Sequence, residues 1–148
     1  QQILISMIIG FGFTKLSAEK NAQAKGNIDI NNNVSIKDVQ EDNFSMGKEK
    51  QNVLKFTFDF TSKYEPNIGS VVLEGELLYV EEPKKAKEIL SGWKKDKKLD
   101  KELMATLLNT LLVKCNVQAL ILSQQINLPP PIPLPKVHMA AQESNYIG

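Results

Sequence analysis

Residues 98–135 read KLDKELMATLLNTLLVKCNVQALILSQQINLPPPIPLP, a long apolar helical pattern that runs without a gap into a proline-rich segment. Apolar residues from Leu103 to Leu122 recur at steps of three and four, which is the spacing of one helix face. Asp100 stands where it can cap the first free N–H groups, and Leu99 and Met104 have the spacing of a hydrophobic staple. More apolar residues lie off that face, at Val113, Val117, Leu120 and Ile121. We therefore expect this helix to be covered on more than one side, whereas a single sheet face can cover only one.

The proline-rich segment, residues 128–135, predicts an extended crossing segment. Its prolines fix φ near the polyproline value and remove most of the N–H donors, so it cannot join a helix or a central strand. Leu128, Ile132 and Leu134 interleave with the prolines. Such a segment directly after a buried helix favours a path back over its own fold. The alternative is that the segment stays free and serves as a ligand for a proline-reading domain of another protein, because it contains PxxP spacing.

Four strand patterns precede the long helix and are separated by polar or turn segments. They cover residues 5–18, 28–37, 54–61 and 71–82. In the first, Phe11 and Phe13 share a face, and a bulge near Gly12 would explain why Leu16 falls out of phase. The period then changes to that of a short helix with Pro83 in its first turn. This order predicts an α+β fold, in which a four-stranded antiparallel sheet (a meander) carries a short and a long helix on one face.

Length and composition indicate one domain with a substantial core. The 148 residues carry a net charge of +1, and 42% of them are hydrophobic. We expect a domain at residues 1–137 and a flexible tail at residues 138–148, which carry no pattern. The N-terminal apolar run is shorter than the ~20 residues of a membrane span and lacks the features of a secretory signal. We therefore expect no membrane partner. Because a single Cys excludes a disulfide framework, a reducing, cytoplasmic compartment is the simpler expectation.

The sequence carries no motif of a catalytic or metal site, and we expect neither an enzyme nor a cofactor. One Cys and one His exclude a disulfide framework and an ordinary zinc site. Cys115 lies on the apolar helix face, which is typical of an inert buried thiol, and His138 has no carboxylate or Cys at catalytic spacing. No glycine-rich phosphate loop, nucleophile elbow or paired-carboxylate motif is present.

All 18 basic residues are lysines, and a run of them flanks Trp93. The absence of Arg argues against sequence-specific nucleic-acid binding, because Arg is the usual residue for bidentate contacts to phosphates and bases. Lysines beside an aromatic ring can still serve single-stranded nucleic acid. The solvated side of a helix is the commoner explanation of such a run, so nucleic acid is the weakest hypothesis.

Phe56, Phe58 and Phe60 share one face of the third strand and have two interpretations. The simpler one is that the long helix covers them, because large exposed apolar patches are rare. The functional one makes part of this face, or apolar surface beside it, a site for extended peptide, since apolar surfaces accept substrates of varied sequence.

The order of these parts resembles the bacterial SecB export-chaperone family and its SecB-like relatives. GFGFTKLSAEKN (residues 10–21) is similar to the family's first strand, and VLKFTFDFTSKY with VVLEGELLYV (within residues 53–80) is similar to its third and fourth. INLPPPIPLPKV (residues 126–137) resembles the segment after the family's main helix. The family's shorter final helix has no counterpart here, and its acidic surface for the translocation motor has no clear one.

The resemblance implies an ATP-independent holdase that binds unfolded or unstable polypeptide in apolar grooves, as a homodimer or homotetramer, without metal or cofactor. Family members pair sheets across a dimer and use helices for the tetramer contact, which would cover the second side of the long helix. Carried onto this chain, the peptide-binding groove would be lined by Leu54, Phe56, Phe58, Phe60, Leu78, Val80, Leu128, Ile132 and Leu134. Because the acidic surface has no clear counterpart, polypeptide binding is better supported than protein transport. A relative acting on another client, such as an unstable antitoxin, would share the fold without the motor.

A second class of function stays open beside this one. The chain would then be a structural or interaction module whose apolar surface is used entirely in self-assembly, with no client groove. A stable oligomer without accessible hydrophobic surface would indicate this module, whereas suppression of client aggregation without ATP would indicate the chaperone.

Overall fold

The computed structural model describes residues 6–23, 25–42 and 52–135, and the structural statements below concern this part of the chain. It contains four strands and two helices, namely β1 (Met7–Lys20), β2 (Asp29–Asp42), β3 (Asn52–Glu65), β4 (Gly69–Glu81), α1 (Pro83–Asp96) and α2 (Lys101–Gln125). The predicted α+β order is confirmed. The predicted tail at residues 138–148, with His138, lies outside the described residues.

The sheet is antiparallel throughout and has the strand order β1-β4-β3-β2. Its meander runs from β2 through β3 to β4, and β1 is added beside β4 rather than beside β2. The connection from β1 to β2 therefore passes the β3–β4 turn, where the Asn21 backbone N–H donates to the Ile68 carbonyl oxygen at 2.7 Å. The sequence does not reveal this placement, because a polar connection leaves a strand's pairing partner unspecified.

Two β-bulges interrupt the pairing of β1 with β4. The register shifts between Ile8 and Gly10 and again between Phe13 and Lys15. The second shift confirms the bulge predicted near Gly12. Phe13 then pairs with Gly75, and Leu16 pairs with Leu73 on the same face of the sheet, so the bulge removes the apparent phase error.

The core lies between one face of the sheet and the helices. Phe56, Phe58 and Phe60 are at most 1% exposed and belong to the same cluster as buried residues of both helices, among them Ala86, Leu107, Leu111 and Cys115. The simpler interpretation of the three phenylalanines, that helix covers them, is confirmed.

Gly75 of β4 stands where no side chain fits. A Cβ built there would stand 2.6 Å from the ring of Phe58 and would also meet the carbonyl oxygen of Gly12. Gly75 thus leaves room for a neighbouring aromatic ring and for the close approach of β1.

The start of α2 differs from the sequence prediction in one respect. Asp100 occupies the N-cap position as expected, but its side chain makes no capping hydrogen bond. Its backbone carbonyl oxygen accepts the N–H of Met104 at 2.8 Å. Because Asp100 is exposed, water can satisfy the free N–H groups of the first turn in place of the carboxylate.

The proline strap, residues 128–135, crosses back over the fold as predicted. The Tyr64 hydroxyl donates to the Pro129 carbonyl oxygen at 2.6 Å, and Asn32 Nδ2 donates to the Pro131 carbonyl oxygen at 2.7 Å. Leu128 is 5% exposed. Tyr64 and Asn32 come from the face of β3 and β2 that carries the core, so the strap extends the helical layer over one end of the sheet.

Candidate functional site

One side of α2 is apolar and open in the single chain. Val113 is 66% exposed, Val117 56% and Ile121 45%, and these residues are spaced by one helical turn. The opposite side packs on the sheet as a core helix. By length and composition α2 could cross a membrane, and only 22% of its most apolar part is buried. The sequence predicts that this second apolar side of α2 is covered as well. In the single chain it is exposed.

An apolar groove lies between this side of α2 and the edge strand β1. Phe11, Gly12 and Phe13 line it from the strand, and Val113, Lys114 and Val117 line it from the helix. Its volume is about 440 Å³. Its walls are mostly hydrocarbon, so it suits an apolar side chain of a partner better than a small polar ligand.

Two aromatic rings, Phe11 and Phe13, form one wall of the groove and rest on a third, Phe58. Phe11 stacks on the buried Phe58 with ring centroids 5.3 Å apart, and Phe13 meets Phe11 edge to face at 5.0 Å. Lys114 Nζ lies 5.1 Å from the Phe11 ring centroid, within reach of a cation–π contact. Phe58 belongs to the core, so a rigid base holds the two half-buried rings in place.

The strand beside the groove is also an edge of the sheet. β1 pairs with β4 on one side, and no strand of the described chain pairs with its other side. Backbone N–H and C=O groups along that side can therefore form hydrogen bonds with an added extended segment. Every second side chain of that segment would point into the groove. The second edge, β2, does not line this groove.

The residues predicted to line a groove do not form one surface. Leu54, Phe56, Phe58 and Phe60 are at most 1% exposed, so they are core residues and not groove walls, a correction of the prediction. Their burial follows from their position on the face of the sheet that packs against both helices.

The remaining predicted residues lie in two other places. Leu78 and Val80 alternate with the core-facing Leu77 and Tyr79, so they belong to the opposite face of the sheet, where Val80 is 4% exposed. In the strap, Leu128 is buried, Ile132 is half-buried and Leu134 is 43% exposed. A client contact remains a prediction for Leu78, Ile132 and Leu134.

The sequence prediction missed the groove that the structure shows, although its signals were visible. Phe11 and Phe13 share a face of the first strand, and Val113 and Val117 form an off-face pair on the helix. Pairing these two signals requires knowing that β1 lies at the edge of the sheet beside α2. Only the tertiary arrangement supplies that knowledge.

Trp93 is not available to stack on a nucleic-acid base. It is 7% exposed, its Nε1 is buried with no hydrogen-bond partner among the described residues, and Lys97 Nζ lies 5.6 Å from its ring. The hypothesis of single-strand binding through this ring is therefore wrong, because such binding needs an exposed aromatic platform.

Cys115 is fully buried on α2, and this burial raises the pKa of its thiol to about 12. The thiolate is thus disfavoured, which fits the predicted inert thiol. Within residues 6–23, 25–42 and 52–135, no group of three or more His, Cys, Asp or Glu residues is placed to hold a metal ion.

Comparison with solved structures finds a similar fold in a SecB-like chaperone. The chain superposes on the Mycobacterium tuberculosis SecB-like chaperone Rv1957, whose structure contains a ChAD peptide from the Rv1956 HigA1 antitoxin. The TM-score is 0.54 and the identity 13%, over 90% of this chain and 91% of the other. No protein-family model and no curated protein sequence matches the chain. The likeness establishes the fold, including the predicted SecB-like architecture.

Proposed function

We propose that the protein is a SecB-like, ATP-independent holdase that binds non-native polypeptide. The observation that carries this proposal is the open apolar groove between β1 and α2, with aromatic rings on one wall and exposed valines on the other. The SecB-like fold supports it, and so does the peptide bound to the structural neighbour.

The groove has the chemistry that a holdase needs. Aromatic and aliphatic walls demand no fixed hydrogen-bond partner, so they accept side chains of many sequences, while the open edge of β1 can bind the backbone that all clients share. Binding of this kind requires no nucleotide, metal or covalent step. We accordingly assign no catalytic role to the chain, and we take the cytoplasm as its place of action.

The client class we propose is unfolded or unstable polypeptide, with short-lived proteins such as antitoxins as one example. No contact among the described residues favours delivery to an export motor, so protein transport stays a prediction from the resemblance alone. Assembly as a homodimer or homotetramer belongs to the same proposal.

Suppression of aggregation tests the proposal directly. A thermally unfolded client enzyme is mixed with excess protein without ATP, and light scattering is followed. We expect the wild-type chain to suppress scattering and the double variant Val113→Asp/Val117→Asp to lose most of that effect, because two carboxylates in the groove oppose apolar contact. Ala105→Asp/Asn109→Asp adds the same charge to the exposed side of the same helix outside the groove and should retain the activity. Equal suppression by both double variants would refute a role for the groove.

A self-assembly module without clients is the second candidate, and the same exposed valines favour it. A second copy of the chain could cover the open side of α2 completely. This candidate predicts a stable oligomer that binds no hydrophobic dye and suppresses no aggregation, so particle size and dye fluorescence together separate the two functions.

A further inference from the structure

A second cavity, of about 640 Å³, lies where the end of β4 meets α1 and the start of α2. Ile89, Leu99 and Leu103 provide its apolar wall, and Glu81 reaches it from the strand. We propose that this cavity binds an organic cation, the lysine or arginine side chain of a bound polypeptide, with Glu81 as its counter-charge. The identity of the occupant rests on the proposed function.

Glu81 is a buried carboxylate that makes no ion pair among the described residues. It is 5% exposed, and its Oε1 accepts hydrogen bonds from Ser6 Oγ at 2.5 Å and from the Glu82 backbone N–H at 3.0 Å. The one ion pair within the described residues, Lys37 with Asp59, lies elsewhere, so no lysine nitrogen of that part of the chain stands within 4.0 Å of Glu81. Burying a carboxylate charge without an ion-pair partner costs free energy. A cation bound at Glu81 would offset that cost.

The second carboxylate oxygen of Glu81, Oε2, has no hydrogen-bond donor among the described residues. Glu81 itself lines the cavity. An ammonium or guanidinium group placed there would make a charge-assisted hydrogen bond, which is stronger than one between neutral groups.

The rest of the lining favours a long cationic side chain over a metal ion. Four carboxylates and two lysines border the cavity, namely Glu81, Glu88, Asp100 and Glu102 against Lys85 and Lys98. No group of three possible metal ligands exists in the described ranges. The apolar wall suits the methylene stem of lysine or arginine, whose head would remain at the carboxylate.

The cavity and the groove are joined by the same two elements. α2 lines the cavity at Leu103 and the groove at Val113, ten residues and roughly 15 Å apart along the helix axis. On the sheet side, Ser6 at the cavity directly precedes β1, and β1 reaches the groove at Phe11. An extended client at about 3.3 Å per residue would span this distance with about five residues. We therefore expect a preference for clients with a basic residue about five positions from an apolar one.

The cavity is tested first with small probes. N-acetyl-lysine methylamide and its uncharged counterpart N-acetyl-norleucine methylamide are titrated into the labelled protein, and the methyl signals of Ile89, Leu99 and Leu103 are followed by NMR. We expect the lysine probe to bind roughly tenfold more tightly than the norleucine probe, in line with a charged hydrogen bond. Equal binding of the two probes would overturn the assignment.

Glu81→Gln should remove the preference, since the amide oxygen can still accept from Ser6 and Glu82 while the charge is lost. Glu76→Gln, on the same strand but pointing to the opposite face of the sheet, is the matched control and should retain it. If Glu81→Gln fails to fold, Ile89→Lys gives a second measurement, because an internal ammonium should occupy the site and exclude the probe. Retained lysine preference in a folded Glu81→Gln or Ile89→Lys variant would refute the inference.

Peptides separate this inference from the proposed function. An apolar peptide carrying lysine five positions from its aromatic residue is compared with the same peptide carrying norleucine. If the lysine probe binds but neither peptide does, the cavity stands and the holdase proposal fails. If both peptides bind equally well and the probes show no difference, the holdase proposal stands and the cavity assignment fails.

Discussion

Gly75 and Gly12 stand near each other across β4 and β1, yet they tolerate a side chain very differently. A Cβ at Gly75 would meet the Phe58 ring at 2.6 Å and the Gly12 carbonyl oxygen, whereas a Cβ at Gly12 would meet nothing within 4 Å. We expect Gly75→Ala to lower the free energy of unfolding by about 1–3 kcal/mol, the usual cost of overpacking. Gly12→Ala is the control and should change it by no more than about 0.5 kcal/mol. Urea unfolding of both variants measures the difference, and similar values would contradict the crowding at Gly75.

Cys115 predicts an alkaline loss of stability. Burial raises the pKa of its thiol from 9.0 to about 12, so the unfolded chain releases this proton at lower pH than the folded one. The stabilising contribution is complete below about pH 9 and is lost as the pH rises from about 9 through 12. We expect Cys115→Ala to flatten this part of the pH profile of the free energy of unfolding, whatever the cost of the small cavity at neutral pH. An unchanged slope would contradict the burial of the thiol.

The reactivity of the same thiol provides an independent check. At pH 8.5 the native protein should react with a thiol reagent more slowly than the urea-unfolded protein by orders of magnitude, since alkylation needs an exposed thiolate. Reaction of the native protein at the unfolded rate would show that this side of α2 opens readily.

The proline strap depends on hydrogen bonds that side chains of the sheet provide. Tyr64→Phe removes the donor to the Pro129 carbonyl oxygen and leaves a partly buried acceptor unsatisfied, so we expect a loss of about 1–3 kcal/mol. Hydrogen exchange should increase at Leu128 and Ile132 more than in β3. An equal increase in both would show that the variant loosens the whole sheet instead of releasing the strap.

Alkaline pH should loosen the strap in the same way. Burial raises the pKa of Tyr64, and the nearby Ser123 side chain partly opposes that rise. The contribution of Tyr64 is present below pH 10.0 and is lost as the pH rises through the raised folded-state pKa. Tyr64→Phe should abolish this part of the pH dependence.

Strands, helices and the strap could be predicted from the sequence because each leaves a local mark. Alternation of Phe56, Phe58 and Phe60 marks a half-buried strand, and the prolines of residues 128–135 forbid anything but an extended path. The strand ends were predicted less well, since β3 continues to Glu65 and β2 to Asp42 through stretches that are polar apart from Val39 and Tyr64. There, pairing with a neighbouring strand extends the ladder beyond the apolar pattern.

The candidate site could not be predicted as a whole, because it depends on which elements are neighbours. The strongest aromatic motif, at Phe56 to Phe60, is buried beneath helix, while the groove uses Phe11 and Phe13 of the edge strand. No local pattern places β1 beside β4, and none shows whether the face of Leu77 or the face of Leu78 lies beneath the helices. The predicted groove therefore combined apolar residues that lie in three separate places: the core, the opposite face of the sheet and the proline strap.

The open side of α2 predicts the behaviour of the whole particle. If subunits dock through Val113, Val117 and Ile121, Val117→Asp would place a carboxylate in an apolar interface, where an unpaired charge costs several kcal/mol. We then expect sedimentation velocity over a wide concentration range to show the wild type as a dimer or tetramer and the variant as smaller species. Ala105→Asp/Asn109→Asp should sediment like the wild type.

The outcome of that experiment also decides how the groove is used. A smaller Val117→Asp particle that binds more hydrophobic dye would mean that a second copy covers this side of α2 in the wild type, leaving only the edge of β1 for clients. A variant of unchanged size would contradict docking through α2. The uncovered valines would then be available to clients in the assembled particle, because a contiguous exposed apolar surface indicates a binding partner.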